Sequence, residues 1–338
     1  MGIKLCQVGL GYWGRNLLRN LSALGHLAVA YDLNEKTVDK YRKDSVYRDI
    51  KFGTNYTECL DRLDINGVVI ATPPDSHYQI ALMCLNKGKH VFVEKPLTLL
   101  PKESKALVRL AKEKNLVLSV GHIFLYSPEI IKLKEVINSE AFGAVKYIYT
   151  QRLNLGKIQE CGVVFDLAAH DISIVDYLLD DYCVETKVSA KSHIIAGVED
   201  VAFISMNYSK GTFCNLHLSW LDPSKIRNLT VVGDKQMAVC DSTNKKVDVY
   251  NSSVDIMERS KTSNESFGSH LLSYSYGDVI SKYIENTEPM KLELEDFVSC
   301  IKTGEIPVAN GDVGSSVVRV MDAMKSSMMK DSGWTPII

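Results

Sequence analysis

Two strings in this 338-residue chain carry side chains able to move a proton near neutral pH: Glu94-Lys95-Pro96 and Asp166-Leu167-Ala168-Ala169-His170. A lysine can hydrogen-bond a reacting hydroxyl, and positive charge nearby draws an ammonium toward the working range of a base. Histidine titrates in that range unaided. Asp166 and His170 stand four apart, so on a helix they share one face. There the carboxylate can orient the imidazole and stabilise its protonated form, as in a catalytic triad. The pattern predicts a helix over 165–179 that begins at this pair, where helix N–H dipoles would disfavour an imidazolium and keep a proton acceptor available. Each string also has a purely structural counterpart: a solvated Glu-Lys pair ending a strand, and a helix-capping aspartate beside a packed histidine. His122 closes another apolar run and is a third candidate. The remaining histidines, His26, His77, His193, His217 and His270, have no such partner along the chain and read as structural or surface residues.

Gly9-Leu10-Gly11-Tyr12-Trp13-Gly14 follows the first apolar run directly and leads into helix-period sequence. In such a loop the first glycine allows a tight turn, the second lets backbone approach a pyrophosphate, and the third lets helix and strand pack closely. Asp32 closes the second strand, about 20 residues beyond the loop, where a carboxylate accepts from adenosine ribose hydroxyls. An aspartate ahead of a helix can equally serve as cap or turn residue. A carboxylate repels a 2′-phosphate, so NAD is expected over NADP, with Lys36 and Lys40 as charges pulling the other way. A dinucleotide site together with a proton-transfer group is the chemistry of hydride exchange with an alcohol.

These residues need a frame, and the chain has two kinds of sequence grammar. Up to about residue 122, apolar runs at 3–8, 27–31, 68–71, 90–93 and 117–120 alternate with helix-period stretches at 13–24, 34–42, 76–87 and 102–114. Strands buried on both faces read this way, which predicts a parallel Rossmann sheet over 1–122. It places Glu94-Lys95 at the carboxyl edge, where open α/β sheets bind ligands. Beyond about residue 142, strand candidates at 145–154, 184–195, 202–208, 212–218, 228–232, 237–241 and 246–250 follow one another with few helices. That predicts an α/β substrate-binding and oligomerisation domain over 123–338 with an open, mostly antiparallel sheet. Helical pattern is assigned to 274–284, 294–302 and 313–329, the last packing back on the Rossmann domain.

Composition narrows the class. With 46% apolar and 24% charged residues and a net charge of −2, the chain offers neither nucleic acid nor an anionic membrane an electrostatic reason to bind. No apolar run reaches the ~18 residues of a membrane span, and the N-terminus lacks signal-peptide grammar, so the cytoplasm is the expected compartment. Eight scattered cysteines without a Cys-x-x-Cys read as buried or free thiols in a reducing setting, not as disulfides or a metal site.

Taken together, Gly9–Gly14, Asp32, Ala71-Thr72-Pro73-Pro74, Glu94-Lys95-Pro96, Val120-Gly121-His122 and Asp166-x-x-x-His170 resemble the Gfo/Idh/MocA oxidoreductases over essentially the whole chain. The pairing of Glu-Lys-Pro with Asp-x-x-x-His is far more specific than the glycine loop. The resemblance implies Lys95 as the residue positioning the hydroxyl, His170 as acid/base and Asp166 as support. It implies cofactor contacts from Gly9, Gly11, Tyr12, Trp13, Gly14, Asp32, Thr72, Pro73, Glu94, Lys95 and His122, a cis Lys95–Pro96 bond, and a dimer or tetramer built on the open sheet. Arg152-Leu153-Asn154-Leu155-Gly156 and Ser219-Trp220-Leu221-Asp222-Pro223 look like a branch oxidising UDP-N-acetylglucosamine or its uronate at carbon 3. In that branch Arg152, Asn154 and Lys157 would face the substrate and its diphosphate, arginine offering a fork of donors. The loop 158–164 departs from the family pattern, and substrate choice resides in such loops. An NADH-dependent keto-sugar reductase, an inositol or hexose dehydrogenase and a non-catalytic NAD-binding regulator are the competing readings.

Overall fold

The computed structural model describes residues 2–257, 271–329 and 333–338; His270 lies outside them. The chain forms two units, Met1–Tyr126 with Thr287–Asp322, and Ser127–Asn286 with Ala323–Ile338.

In the first unit β1 (Leu5–Val8), α1 (Gly14–Ala23), β2 (Leu27–Tyr31), α2 (Glu35–Arg42) and β3 (Lys51–Gly53) form one wing. The other wing is β4 (Gly67–Ile70), α3 (Pro74–Asn86), β5 (His90–Glu94), α4 (Pro101–Glu113) and β6 (Leu118–Gly121). All six strands run parallel in the order β3-β2-β1-β4-β5-β6. Connections leave β1 in one direction and β4 in the other, so a crevice opens beyond the carboxyl ends of these two neighbours, the topological switch point. Apart from the short edge strand β3, the strands are largely buried because helices cover both faces; β1 and β4 have no exposed residue.

In the second unit α5 (Pro128–Ile137) precedes β7 (Val145–Leu155), α6 (Gly162–Leu179), β8 (Cys183–Lys191), β9 (Val201–Tyr208) and β10 (Phe213–Ser219). Then come β11 (Leu221–Gly233), β12 (Met237–Asp241), β13 (Lys246–Met257) and β14 (Leu271–Lys282). The sheet is mixed: β7 and β10 are parallel neighbours and every other pair is antiparallel. Helix α6 lies against β7, β9 and β10. The assignment of helix to 274–284 is corrected by β14. There Ser273, Tyr274, Ser275 and Tyr276 alternate with the period of a strand, and Val254 and Ser252 of β13 stand opposite Tyr274 and Tyr276. Helix α5 was not foreseen, although Pro128 at its first turn and the apolar spacing Ile130, Leu133, Val136, Ile137 are helix signals.

The chain then re-enters the first unit. Helix α7 (Pro289–Thr303) packs Met290, Leu294, Phe297 and Val298 with Leu5, Leu17, Leu18 and Leu21. Phe92 of β5 meets Phe297 edge to face at 5.8 Å, an arrangement worth about 0.5–1.5 kcal/mol beyond the area it buries. On the opposite sheet face Ile80, Ala81, Leu107 and Ala111 of α3 and α4 close the core. Helix α8 (Gly311–Met329) begins in the first unit and ends in the second, where β15 (Thr335–Pro336) pairs with β8.

Candidate active site

The glycine loop sits where β1 ends. Gly9 has φ 97°, and a side chain there would collide with the Ala71 carbonyl oxygen beyond β4, so the turn at the switch point needs glycine on both counts. Gly11 faces open space, as backbone meant to approach a phosphate must. Tyr12 and Trp13 stand exposed beside it, ring edge against ring face. The Asp32 carboxylate is held by two backbone donors, Leu10 N at 2.8 Å on Oδ2 and Asn34 N at 2.9 Å on Oδ1. The capping role proposed as its alternative belongs to Asn34, which accepts from Lys36 N at 3.0 Å. Each Asp32 oxygen keeps lone-pair capacity for a further donor, and the group is only half-buried. The loop and its carboxylate therefore fit the ribose and pyrophosphate of a dinucleotide.

Beyond β4 and β5 the remaining residues of this edge are locked to one another. Ser76 Oγ donates to Thr72 Oγ1 at 2.7 Å. Buried His77 places Nε2 2.8 Å from the Thr72 carbonyl oxygen and Nδ1 2.8 Å from that of Pro96. His77, read from sequence as structural or surface, is thus the brace between the two strand-end loops. Its position three residues after Pro74 was the available signal. The Lys95–Pro96 bond is cis. Pro73 is exposed, whereas Glu94 and Lys95 are half-buried.

Burial pushes the Glu94 carboxyl up to about 7 against the pull of Lys95. Its Oε2 lies so close to Gly121 that a Cβ there would stand 2.6 Å away. Glu293 of α7, at 1% exposure, is pushed well above the carboxylate range, by burial first and then by the charges of Glu94 and Asp296. Nothing along the chain hints at this proximity, because Glu293 arrives from a helix almost two hundred residues away. His122 is buried, and neither ring nitrogen has a hydrogen-bond partner among the described residues. Burial, reinforced by Lys95, lowers its pKa to about 3, so the ring is neutral at physiological pH.

In the second unit α6 begins at Gly162, three residues earlier than the pattern suggested. Its first free N–H groups are answered by Glu199, whose carbonyl accepts from Val163 N at 2.9 Å and whose Oε1 accepts from Val164 N at 3.4 Å. His170 therefore stands about two turns inside the helix. The helix-end dipole fades within the first turn and does not set its charge. Asp166 and His170 remain on one face, both half-buried among otherwise buried neighbours.

Arg152 corrects the sequence reading. Its side chain is 6% exposed, and the guanidinium grips Asp171 of α6 through Nε at 3.0 Å and Nη2 at 2.8 Å. This ion pair ties β7 to the helix that carries Asp166 and His170, rather than offering a fork to a diphosphate. Asn154 accepts from Arg227 Nη2 at 2.8 Å, and Lys157 is exposed. Arg227 was not singled out from sequence, since nothing along the chain ties β11 to β7.

Residues 3–122 match the family model described as an oxidoreductase family with an NAD-binding Rossmann fold, and residues 134–337 match its C-terminal α/β domain. The chain belongs to the Gfo/Idh/MocA oxidoreductase family. Like its relatives, this Gfo/Idh/MocA protein is an NAD-dependent oxidoreductase. Among curated relatives, UDP-N-acetylglucosamine 3-dehydrogenase of Acidithiobacillus ferrooxidans is 26% identical over 245 residues, 72% of this chain and 75% of that protein. The scyllo-inositol 2-dehydrogenase (NAD(+)) of Bacillus subtilis is 29% identical over 190 residues, 52% of this chain and 54% of that one. Levoglucosan dehydrogenase in complex with NADH shares the fold over the full length of both chains, with a TM-score of 0.82 at 18% identity. No helix among the described residues is long and apolar enough to cross a membrane.

Proposed function

We propose that this enzyme oxidises a secondary hydroxyl of a sugar, the sugar being a nucleotide sugar such as UDP-N-acetylglucosamine or its uronate, at carbon 3. The observation that carries the reading is the joint presence of Lys95 at the carboxyl end of β5, in the same parallel sheet as the Asp32-anchored loop, and of Asp166 with His170 on one face of α6. Similarity to the UDP-N-acetylglucosamine 3-dehydrogenase over 72% of the chain supports the substrate class. NAD⁺, when bound, supplies the hydride acceptor. Lys95 holds the substrate hydroxyl, His170 takes its proton, and Asp166 stabilises the imidazolium formed. Asp32 holds the adenosine ribose, while Thr72, Pro73, Glu94 and His122 border the cofactor from the strand ends. The relay is symmetrical, so the same residues serve reduction of the keto sugar.

A second reading, an inositol or hexose dehydrogenase, is favoured by the match to scyllo-inositol 2-dehydrogenase. The deciding experiment is NADH formation with UDP-N-acetylglucosamine, its uronate, inositol and free hexoses in parallel, and NADH consumption with the corresponding keto sugars. Turnover confined to nucleotide sugars supports the proposal. Turnover of a free polyol or hexose moves the enzyme to the second reading, and silence in both directions leaves an NAD-binding regulator.

The sheet face opposite α6 presents Tyr147, Tyr149, Phe203 and Phe213, all more than a third exposed. Phe203 is stacked on His217 at 4.3 Å. We propose this apolar face as the homo-oligomer contact. Sedimentation of Tyr149→Lys as a smaller species than the wild type is the expected result.

A further inference from the structure

The register of β7 and β11 sets Arg152 directly opposite Arg227. Residues opposite one another share a sheet face, so Arg227 projects to the side on which Asp171 of α6 receives Arg152. Like charges so placed repel. One of them is neutralised: Asp171 takes Arg152 through two hydrogen bonds. The other is held by neutral acceptors alone. Arg227 Nη1 donates to the carbonyls of Leu153 and Ile226, both at 2.8 Å, and Nη2 donates to Asn154 Oδ1 at 2.8 Å. Among the described residues no carboxylate pairs with it.

A guanidinium has five N–H donors. Three bonds leave the Nε–H and one Nη2–H unassigned, and these atoms lie on the edge with which Arg152 grips its carboxylate. Burial, then Arg152, push the Arg227 pKa down to about 10, opposed by Asp171 and Asp166, so it stays charged at neutral pH. Asn154 has little freedom to release the fork, because Gly156 packs against its amide and a Cβ there would also stand 2.9 Å from the Trp220 ring. Half-buried charge without a counter-ion is costly to keep, and this one lies within electrostatic reach of Asp166.

We propose that Arg227, positioned by Asn154, recognises an anionic group of the substrate: a carboxylate on the sugar, or a phosphate attached to it. The inference rests on the reading of Asp166 and His170 as the proton relay for a sugar hydroxyl. It moves anion recognition from Arg152 on β7 to its neighbour on β11.

The test is binding of UDP, glucuronate and N-acetylglucosamine to the NADH-loaded enzyme by calorimetry, alongside steady-state turnover of the sugars named above. With R227Q, affinity for the anionic probe should fall about 10–100-fold, the range for one lost charge-assisted pair. NADH affinity should stay within about twofold and N-acetylglucosamine binding should not move. Loss confined to UDP assigns the phosphate, and loss confined to glucuronate assigns the carboxylate. R227K keeps the charge without the fork and should fall between wild type and R227Q, which decides the matter if R227Q does not fold. Equal affinities in wild type, R227K and, where it folds, R227Q overturn the proposal, as does a wild-type enzyme that binds neither anion. A wild type that ignores both anions yet oxidises a neutral polyol overturns this site and leaves the dehydrogenase intact. Anion binding lost in R227Q without turnover of any sugar supports the site and removes the relay.

Discussion

Asp32→Asn separates charge from shape at the cofactor loop. The asparagine keeps its one oxygen for Leu10 N, now 2.8 Å from the carboxylate, and turns an amide nitrogen toward Asn34 N, which loses its acceptor at the start of α2. What disappears is the charge that strengthens hydrogen bonds to ribose hydroxyls. A hydrogen bond to a charged group contributes about 1.5–3 kcal/mol, which is about 10–150-fold in affinity. Against NADPH the arithmetic reverses, because the native carboxylate repels the 2′-phosphate by about 1 kcal/mol per unit charge at ~4 Å in a water-like dielectric. Fluorescence titration should therefore show NADH binding about 10–100-fold weaker and NADPH binding changed by less than about threefold. The preference should narrow at least about threefold. Thermal melting without cofactor serves as the control for loop integrity. An Asp32→Asn protein that binds NADH within twofold of wild type, with its NADH:NADPH ratio unmoved, would refute the placement of Asp32 at the ribose.

Lys95→Ala and His170→Ala should each abolish turnover while NADH affinity stays within about threefold; loss of cofactor binding in both would contradict their assigned roles. Asp171→Ala removes the carboxylate that Arg152 grips through two hydrogen bonds in a site where both partners are about 5% exposed or less, so unfolding should be easier by about 3–5 kcal/mol, read as a lower urea midpoint. Replacing both partners together, Arg152→Met with Asp171→Leu, should recover most of that loss. Glu94, with its folded pKa raised to about 7, contributes stability that is fully present below its unfolded value and is lost as pH rises through about 7. The melting temperature of the apo protein should accordingly fall across that window, and Glu94→Gln should flatten the fall.

The Rossmann half was legible because its information is local. Continuous apolar strands, a glycine loop and Asp32 all lie within the first 121 residues, and the boundaries of the foreseen elements differ by only a residue or two from the pattern, although the short edge strand β3 was not foreseen. What could not be read depends on pairing across long separations. Arg152 and Asp171 are 19 residues apart, and Arg152 and Arg227 are 75 apart, so neither the pairing of the first nor the isolation of the last is visible in a local window. The misassigned strand β14 shows the same limit from another side. Its Tyr, Val and Ile residues suit either element, and pairing with β13 decides the outcome. At the candidate site the motif residues can be named from the sequence, whereas the bracing by His77 and the proximity of Glu293 and Arg227 cannot. Supports are chosen by geometry rather than by residue type.

The two ends of the nine-stranded sheet are finished unequally. At one end β15 and Ser327 cover β8 from Val184 to Val188: Ile337 N reaches the Val184 carbonyl, and Ser327 Oγ accepts from Val188 N. Pro336 adds a residue with no N–H to offer a newcomer. At the other end β14 closes the order with no partner on its far side among the described residues. A filament needs two open edges per molecule, and among the described residues β14 is the one long strand left without an outer neighbour. Edge-to-edge association through β14 would thus stop at two copies, whereas a variant that detaches the segment around Pro336 would acquire a second sticky end and with it the means to polymerise.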